Sequence, residues 1–186
     1  MPTPPLPAHL ETARLLLRPM GPADADVVHR LWTERDARGP ASRRIDGDGH
    51  PSRDEVRTRL VVQAEESMRT GIRLLAIERR DEPGMVGYCG LVVGSASVEE
   101  QEMAFELLRE FHGRGFATEA AHAVVDAARD TGRSRLWATV RRWNAPSFRV
   151  LERAGFVDSG RVTADPAHGD SVWMTRDLRD APADGA

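Results

Sequence analysis

Residues 109–132, REFHGRGFATEAAHAVVDAARDTG, place two glycines and an arginine directly ahead of a clean amphipathic pattern. Ala117, Ala120, Ala121, Val124 and Ala128 recur on one stripe with Glu119, His122, Asp126 and Arg129 opposite, which predicts a helix over 117–130. The small residues of that stripe allow close approach to a sheet. A glycine loop opening a helix leaves backbone N–H groups uncovered at the positive end of the helix dipole, and phosphate is the anion such a loop suits best. Taken alone, Gly113 and Gly115 would more often just shape a turn.

The flanking sequence supplies the rest of the fold. ARLLLRPM (13–20) reads as a first strand, and GPADADVVHRLWTE (21–34) as a helix with Pro22 in its first turn. Residues 38–51, rich in Gly, Pro and Asp, read as a mobile loop. Ser52 and Glu55 then form an S-x-x-E capping box, with Val56, Leu60, Ala64 and Met68 expected on one buried face and Gly71 as the stop. Residues 73–80 and 84–94 flank a D-E-P-G turn and predict an antiparallel pair, followed by a strand within 98–108. After the glycine loop come the helix, a strand over 135–143, a helix over 144–155 with Asn144 as N-cap, and two closing strands.

This order predicts one mixed α/β or α+β domain of about seven strands and about four helices, spanning 11–180. Residues 1–10 are expected to be a disordered lead, and 181–186 a tail. An apolar share of 40% supports a single sizeable core. The lone Cys89 excludes a disulfide framework or a multi-cysteine metal cage and favours a reducing compartment, with cytoplasm the default. The histidines lack metal-ligand spacing, so no metal is expected. Nothing matches a membrane span or a signal peptide. A net charge of -3 argues against nucleic acid as a partner, and a codon bias explains the absence of lysine more simply than selection for phosphate forks.

Among phosphate-binding patterns, a P-loop needs a lysine that the chain lacks, and a dinucleotide fingerprint needs a glycine where Thr118 stands. HGRGFATEA, followed by a strand and then NAPSFRVLERAGF, instead resembles the GCN5-related N-acetyltransferase superfamily, and within it the ribosomal-protein N-acetyltransferase branch. The resemblance covers nearly the whole chain. The family motif [Q/R]-x-x-G-x-[G/A] is met by His112, Gly115 and Ala117, with histidine as the departure.

The resemblance implies a GNAT-like domain that binds acetyl-CoA through Leu107, Leu108, His112, Gly113, Arg114, Gly115, Phe116, Ala117, Thr118 and Asn144. His112 itself is read as structural or solvent-facing, and Arg109, Arg141 and Arg149 are weaker phosphate candidates. The amide near Leu107 polarises the thioester carbonyl. Glu102 is the general-base candidate, working through water, with a merely solvated acidic face over Glu99, Glu100 and Glu102 as the equal alternative. Leu151 stands where many relatives have an acidic tyrosine; Ser147 matches a serine of the branch and is expected to contact the thiol, or only to support the cap. Glu119 is expected to be structural.

The implied reaction is direct attack of an amine on acetyl-CoA in a ternary complex. The acceptor is a protein N-terminus or a small amine, polyamine or aminoglycoside, drawn to the acidic segment. A monomer or homodimer is expected. The competing class is an acetyl-CoA-binding regulatory domain without turnover.

Overall fold

The computed structural model describes residues 4–179. The expected order of elements is found, with one two-residue strand added at the start: β1 Leu10–Glu11, β2 Leu15–Pro19, α1 Ala25–Glu34, α2 Arg53–Thr70, β3 Leu74–Arg79, β4 Met85–Val92, β5 Glu102–Leu107, α3 Phe116–Asp130, β6 Arg135–Arg141, α4 Ala145–Arg153, β7 Val157–Thr163 and β8 Ser171–Asp177. The strands form one sheet in the order β1-β2-β3-β4-β5-β6-β8-β7.

Alternation along the strands sorts side chains into two cores. Leu15, Leu17, Leu75, Ile77, Cys89 and Leu91 face Ala120, Ala121, Val124 and Leu151 of α3 and α4. Ala76, Met85 and Leu108 face Val28, Leu31, Val56 and Leu60 of α1 and α2. Of the α3 stripe, Ala120, Ala121, Val124 and Ala128 are buried and Ala117 is partly buried. No described helix is long and apolar enough to cross a membrane.

The expected lead is not disordered over its described part. Leu6 is 1% exposed within the first core, its N–H donates to the Gly71 carbonyl at 2.9 Å, and the Pro4 carbonyl accepts from buried Arg133 at 3.0 Å. The prolines restrict this segment before folding, so ordering it costs little entropy, and one buried leucine suffices. Residues 1–3 and the expected tail lie outside the described residues.

Helix α2 has its capping box: the Glu55 N–H donates to Ser52 Oγ at 3.3 Å, and the Ser52 N–H to Glu55 Oε2 at 2.6 Å. Its expected apolar face runs out early. Val56 and Leu60 are buried, but Met68 is 77% exposed. Met68→Lys is therefore expected to change stability by less than about 0.5 kcal/mol, against roughly 2–5 kcal/mol for Leu60→Ala, in urea titrations of each variant.

One irregularity of the sheet positions the site. β5 and β6, joined through α3, are parallel and bridge at Glu102 and Trp137, with the Trp137 N–H donating to the Gln101 carbonyl at 2.9 Å. From there to Leu107 and Arg141 they make no further bridge. A slot opens between two strands of an otherwise continuous sheet.

Candidate active site

The wall of the slot on the β5 side follows from ladder parity. In an antiparallel pair, successive residues direct their N–H and C=O alternately toward and away from the partner strand. The Leu108 N–H donates to the Val86 carbonyl at 3.0 Å, so the amides of Leu107 and Phe105 point away from β4, into the slot. His112 Nε2 donates to the Leu107 carbonyl at 2.8 Å, which makes that histidine a tie between loop and strand. Leu108 is not brought to the slot: its amide is taken by β4 and its side chain is buried beneath α1.

The glycine loop sits at the mouth. Gly113 and Gly115 have φ of 74° and 80°, the left-handed region that other residues enter at a cost. Gly115 caps α3, and its carbonyl accepts the Glu119 N–H at 3.0 Å. Among the described residues, the amides from Gly113 to Thr118 find no acceptor. Those of Arg114, Gly115, Phe116 and Ala117 thus lie unpartnered at the positive end of a fifteen-residue helix. The Phe116 side chain itself belongs to the core.

A brace fixes the loop. Glu119 accepts from Thr12 Oγ1 at 2.6 Å, from the Arg14 N–H at 2.9 Å and from Arg14 Nε at 2.7 Å. Arg14 also donates to the Arg114 carbonyl at 3.0 Å and lies over the Phe116 ring at 4.7 Å. Burial pushes the Glu119 carboxyl up, but the bonds from Thr12 and Arg14 outweigh it and hold it below the usual carboxylate range. Sequence reasoning gave Glu119 a structural role but not its partners, which lie more than 100 residues away.

The other expected residues divide. Asn144 caps α4, its Oδ1 accepting the Ser147 N–H at 3.4 Å, and the Ser147 hydroxyl has no partner among the described residues. Leu151 is fully buried. Arg141 is held by Asp165 at 2.8 Å, and Arg109 by Glu34 at 2.8 Å through its amide, whereas the Arg114 guanidinium has no carboxylate partner among the described residues and lies over Phe111 at 5.5 Å.

Glu102 differs from both expectations. It is 5% exposed rather than solvated, and both its oxygens are engaged, one by the Ser95 N–H and the other by Thr139 Oγ1 at 2.9 Å. Glu100 accepts from Trp137 Nε1 at 2.8 Å. Glu100 and Glu102 therefore pin the 93–101 loop across the closed end of the slot. Of the three glutamates expected to draw a cationic acceptor, only Glu99 is exposed.

On the face of α1 and α2, the loop after α1 spans the slot. Arg35 binds Glu106 of β5 at 2.6 Å, and Arg38 lies over the Trp143 ring, between β6 and α4, at 4.3 Å. A separate open groove between α1 and the β3–β4 turn contains no residue of β6 or α4. Its charges pair internally, Arg30 with Glu34 and Glu110 at 3.0 Å.

Comparison with known proteins agrees with this geometry. Residues 14–157 match the model of the acetyltransferase (GNAT) domain. An N-acetyltransferase of Bacillus licheniformis named p20, itself uncharacterized, is 26% identical over 152 residues, covering 81% of this chain and 83% of that protein. A GNAT-family acetyltransferase of Bordetella pertussis superposes with a TM-score of 0.72 at 25% identity, covering 90% of this chain and 98% of that one. The ribosomal-protein acetyltransferase RimL in complex with coenzyme A has the same fold, with a TM-score of 0.72 at 17% identity over 92% of this chain and 97% of that one. With a splayed parallel pair, an amide-lined loop at a helix start and a family match over most of its length, the chain belongs to the GNAT acetyltransferases.

Proposed function

We propose that the protein transfers the acetyl group of acetyl-CoA to a primary amine, in the manner of the ribosomal-protein branch that it resembles. The observation that carries this reading is the run of unpartnered amides from Gly113 to Thr118 beside the mouth of the slot. Those amides receive the pyrophosphate, with Arg114 as a charged neighbour. The pantetheine arm lies between β5 and β6, near Asn144 and Ser147, with the Ser147 hydroxyl facing the thiol. The single thiol and its burial suit a reducing, cytoplasmic setting.

The reaction needs a neutral amine, an acceptor for the developing oxyanion and a stable leaving group. At cellular pH roughly one α-amine in three is neutral, against roughly one lysine amine in a thousand. A protein N-terminus is therefore the acceptor that asks least of the enzyme. The slot-facing amides of Phe105 and Leu107 stabilise the oxyanion as fixed dipoles. A thiol with pKa of about 8.5 departs readily, so the absence of a tyrosine at Leu151 is tolerable. Glu102 belongs to the frame of the slot rather than to proton transfer.

The test is calorimetric titration with acetyl-CoA, with NAD and ATP as controls, then release of free thiol in the presence of peptides and amines. Selective binding at micromolar concentrations and thiol release with at least one amine are expected. Absent binding by a folded sample overturns the reading. Glu119→Ala, which releases the brace on the loop, is expected to weaken acetyl-CoA binding roughly tenfold, about 1.4 kcal/mol. An unchanged affinity would show that the loop holds its shape unaided.

A further inference from the structure

We propose that Glu106, rather than Glu102, receives the proton of the acceptor amine, and that Arg35 and Tyr88 position its carboxylate. The proposal rests on the acetyltransferase reading above.

Three observations converge on Glu106. It stands between Phe105 and Leu107, the two residues whose amides face the slot, so its side chain leaves the strand beside the place where the thioester carbonyl is polarised. Its register partner Tyr88 packs against the core beneath α1 and α2, which puts the carboxylate on the face opposite α3 and the phosphate loop. Cofactor and proton acceptor thus lie on different sides of the sheet, as an attack on the carbonyl from the far side requires.

The carboxylate is also held and reachable. Glu106 accepts from Arg35 Nε at 2.9 Å, from Arg35 Nη2 at 2.6 Å and from the Tyr88 hydroxyl at 2.7 Å. Arg35 is in turn fixed by donation to the Arg43 carbonyl at 2.6 Å and by the Trp32 ring at 5.2 Å. Burial, and then the charge of Glu106, push the Tyr88 hydroxyl well above its ordinary value, so it stays protonated and donates. The Glu106 side chain nonetheless remains 20% exposed. Glu102 lies four residues back, roughly 13 Å along the strand, and is only 5% exposed. Between the two carboxylates on β5 stands only the small side chain of Ala104, opposite Gly90.

The step balances without a further reactant. The nitrogen lone pair attacks the carbonyl carbon, and the C=O electron pair moves to the oxygen beside the strand amides. The nitrogen's proton passes to Glu106, the carbonyl reforms, and the C–S bond breaks with its electron pair on sulfur. The thiolate then takes the proton back. The proton that Glu106 receives leaves a nitrogen that attack has already made cationic.

Glu106→Gln is the test, with a peptide bearing a free N-terminal alanine and spermidine as acceptors, and with acetyl-CoA affinity measured on the same sample. Turnover is expected to fall roughly a hundredfold with acetyl-CoA affinity unchanged, and the rate of the variant to keep rising with pH as solvent base replaces the carboxylate. A variant as fast as the wild type, with the wild-type pH profile, overturns the assignment. If the glutamine variant fails to bind acetyl-CoA, Glu106→Asp decides instead. It keeps the charge but draws it back by one carbon, and a wild-type rate there is equally fatal. A wild type that binds acetyl-CoA but acetylates neither acceptor, nor any other amine, removes the transferase reading itself.

Discussion

Gly115→Glu is expected to abolish acetyl-CoA binding, with affinity falling more than about a hundredfold, or about 2.7 kcal/mol. Two causes add. Gly115 has φ of 80°, a conformation that costs a residue with a side chain roughly 1–2 kcal/mol, and the new carboxylate would stand among the unpartnered amides proposed to receive the pyrophosphate. Gly115→Ala separates them, because a Cβ there meets nothing closer than Arg14 Nη2 at 3.4 Å. The alanine variant therefore carries the conformational cost alone and is expected to lose roughly five- to thirtyfold. Calorimetry on both variants reads the difference; a glutamate variant that binds normally would take the loop out of the site.

Glu102→Ala is expected to lower stability by about 3 kcal/mol, because it removes two part-buried hydrogen bonds to a charged group, from the Ser95 N–H and the Thr139 hydroxyl. The midpoint of thermal unfolding should drop by roughly 6–12 °C. Gly94 shows how closely this seat is fitted: a Cβ there would lie 2.5 Å from Glu102 Oε1. Glu102→Gln can keep both contacts by presenting its carbonyl oxygen to Ser95, and its stability should stay within about 1 kcal/mol of the wild type. An alanine variant that melts with the wild type would show that the 93–101 loop holds without its carboxylate.

Much of this architecture was legible in the residues because its causes are local. The capping box of α2 is a matter of Ser52 and Glu55, three positions apart, and the glycine loop announces itself within a few residues of α3. The slot was legible only through family resemblance, since nothing in RLWATVRRW says that β6 parts from β5 after one bridge. What stayed hidden depends on distant partners. The Arg35–Glu106 contact joins residues 71 positions apart, and three glutamates within four residues look alike until the fold buries one of them. Met68 misled because helical spacing gives the direction of a face but not how far along the helix its packing partners extend. Leu6 misled because a proline-rich lead resembles an unstructured one unless its seat against Gly71 is known.

Cys89 carries a practical consequence for every assay above. It is the chain's only cysteine, it is fully buried in the core between β4 and helices α3 and α4, and burial pushes its thiol up to about 12. At neutral pH essentially none of it is thiolate, the form that reacts with disulfides and alkylating agents. A colorimetric thiol reagent added to the folded enzyme therefore reports coenzyme A released by turnover with almost no background from the protein. The same reagent turns into a clock for unfolding, since the sulfur becomes visible only when the sheet opens.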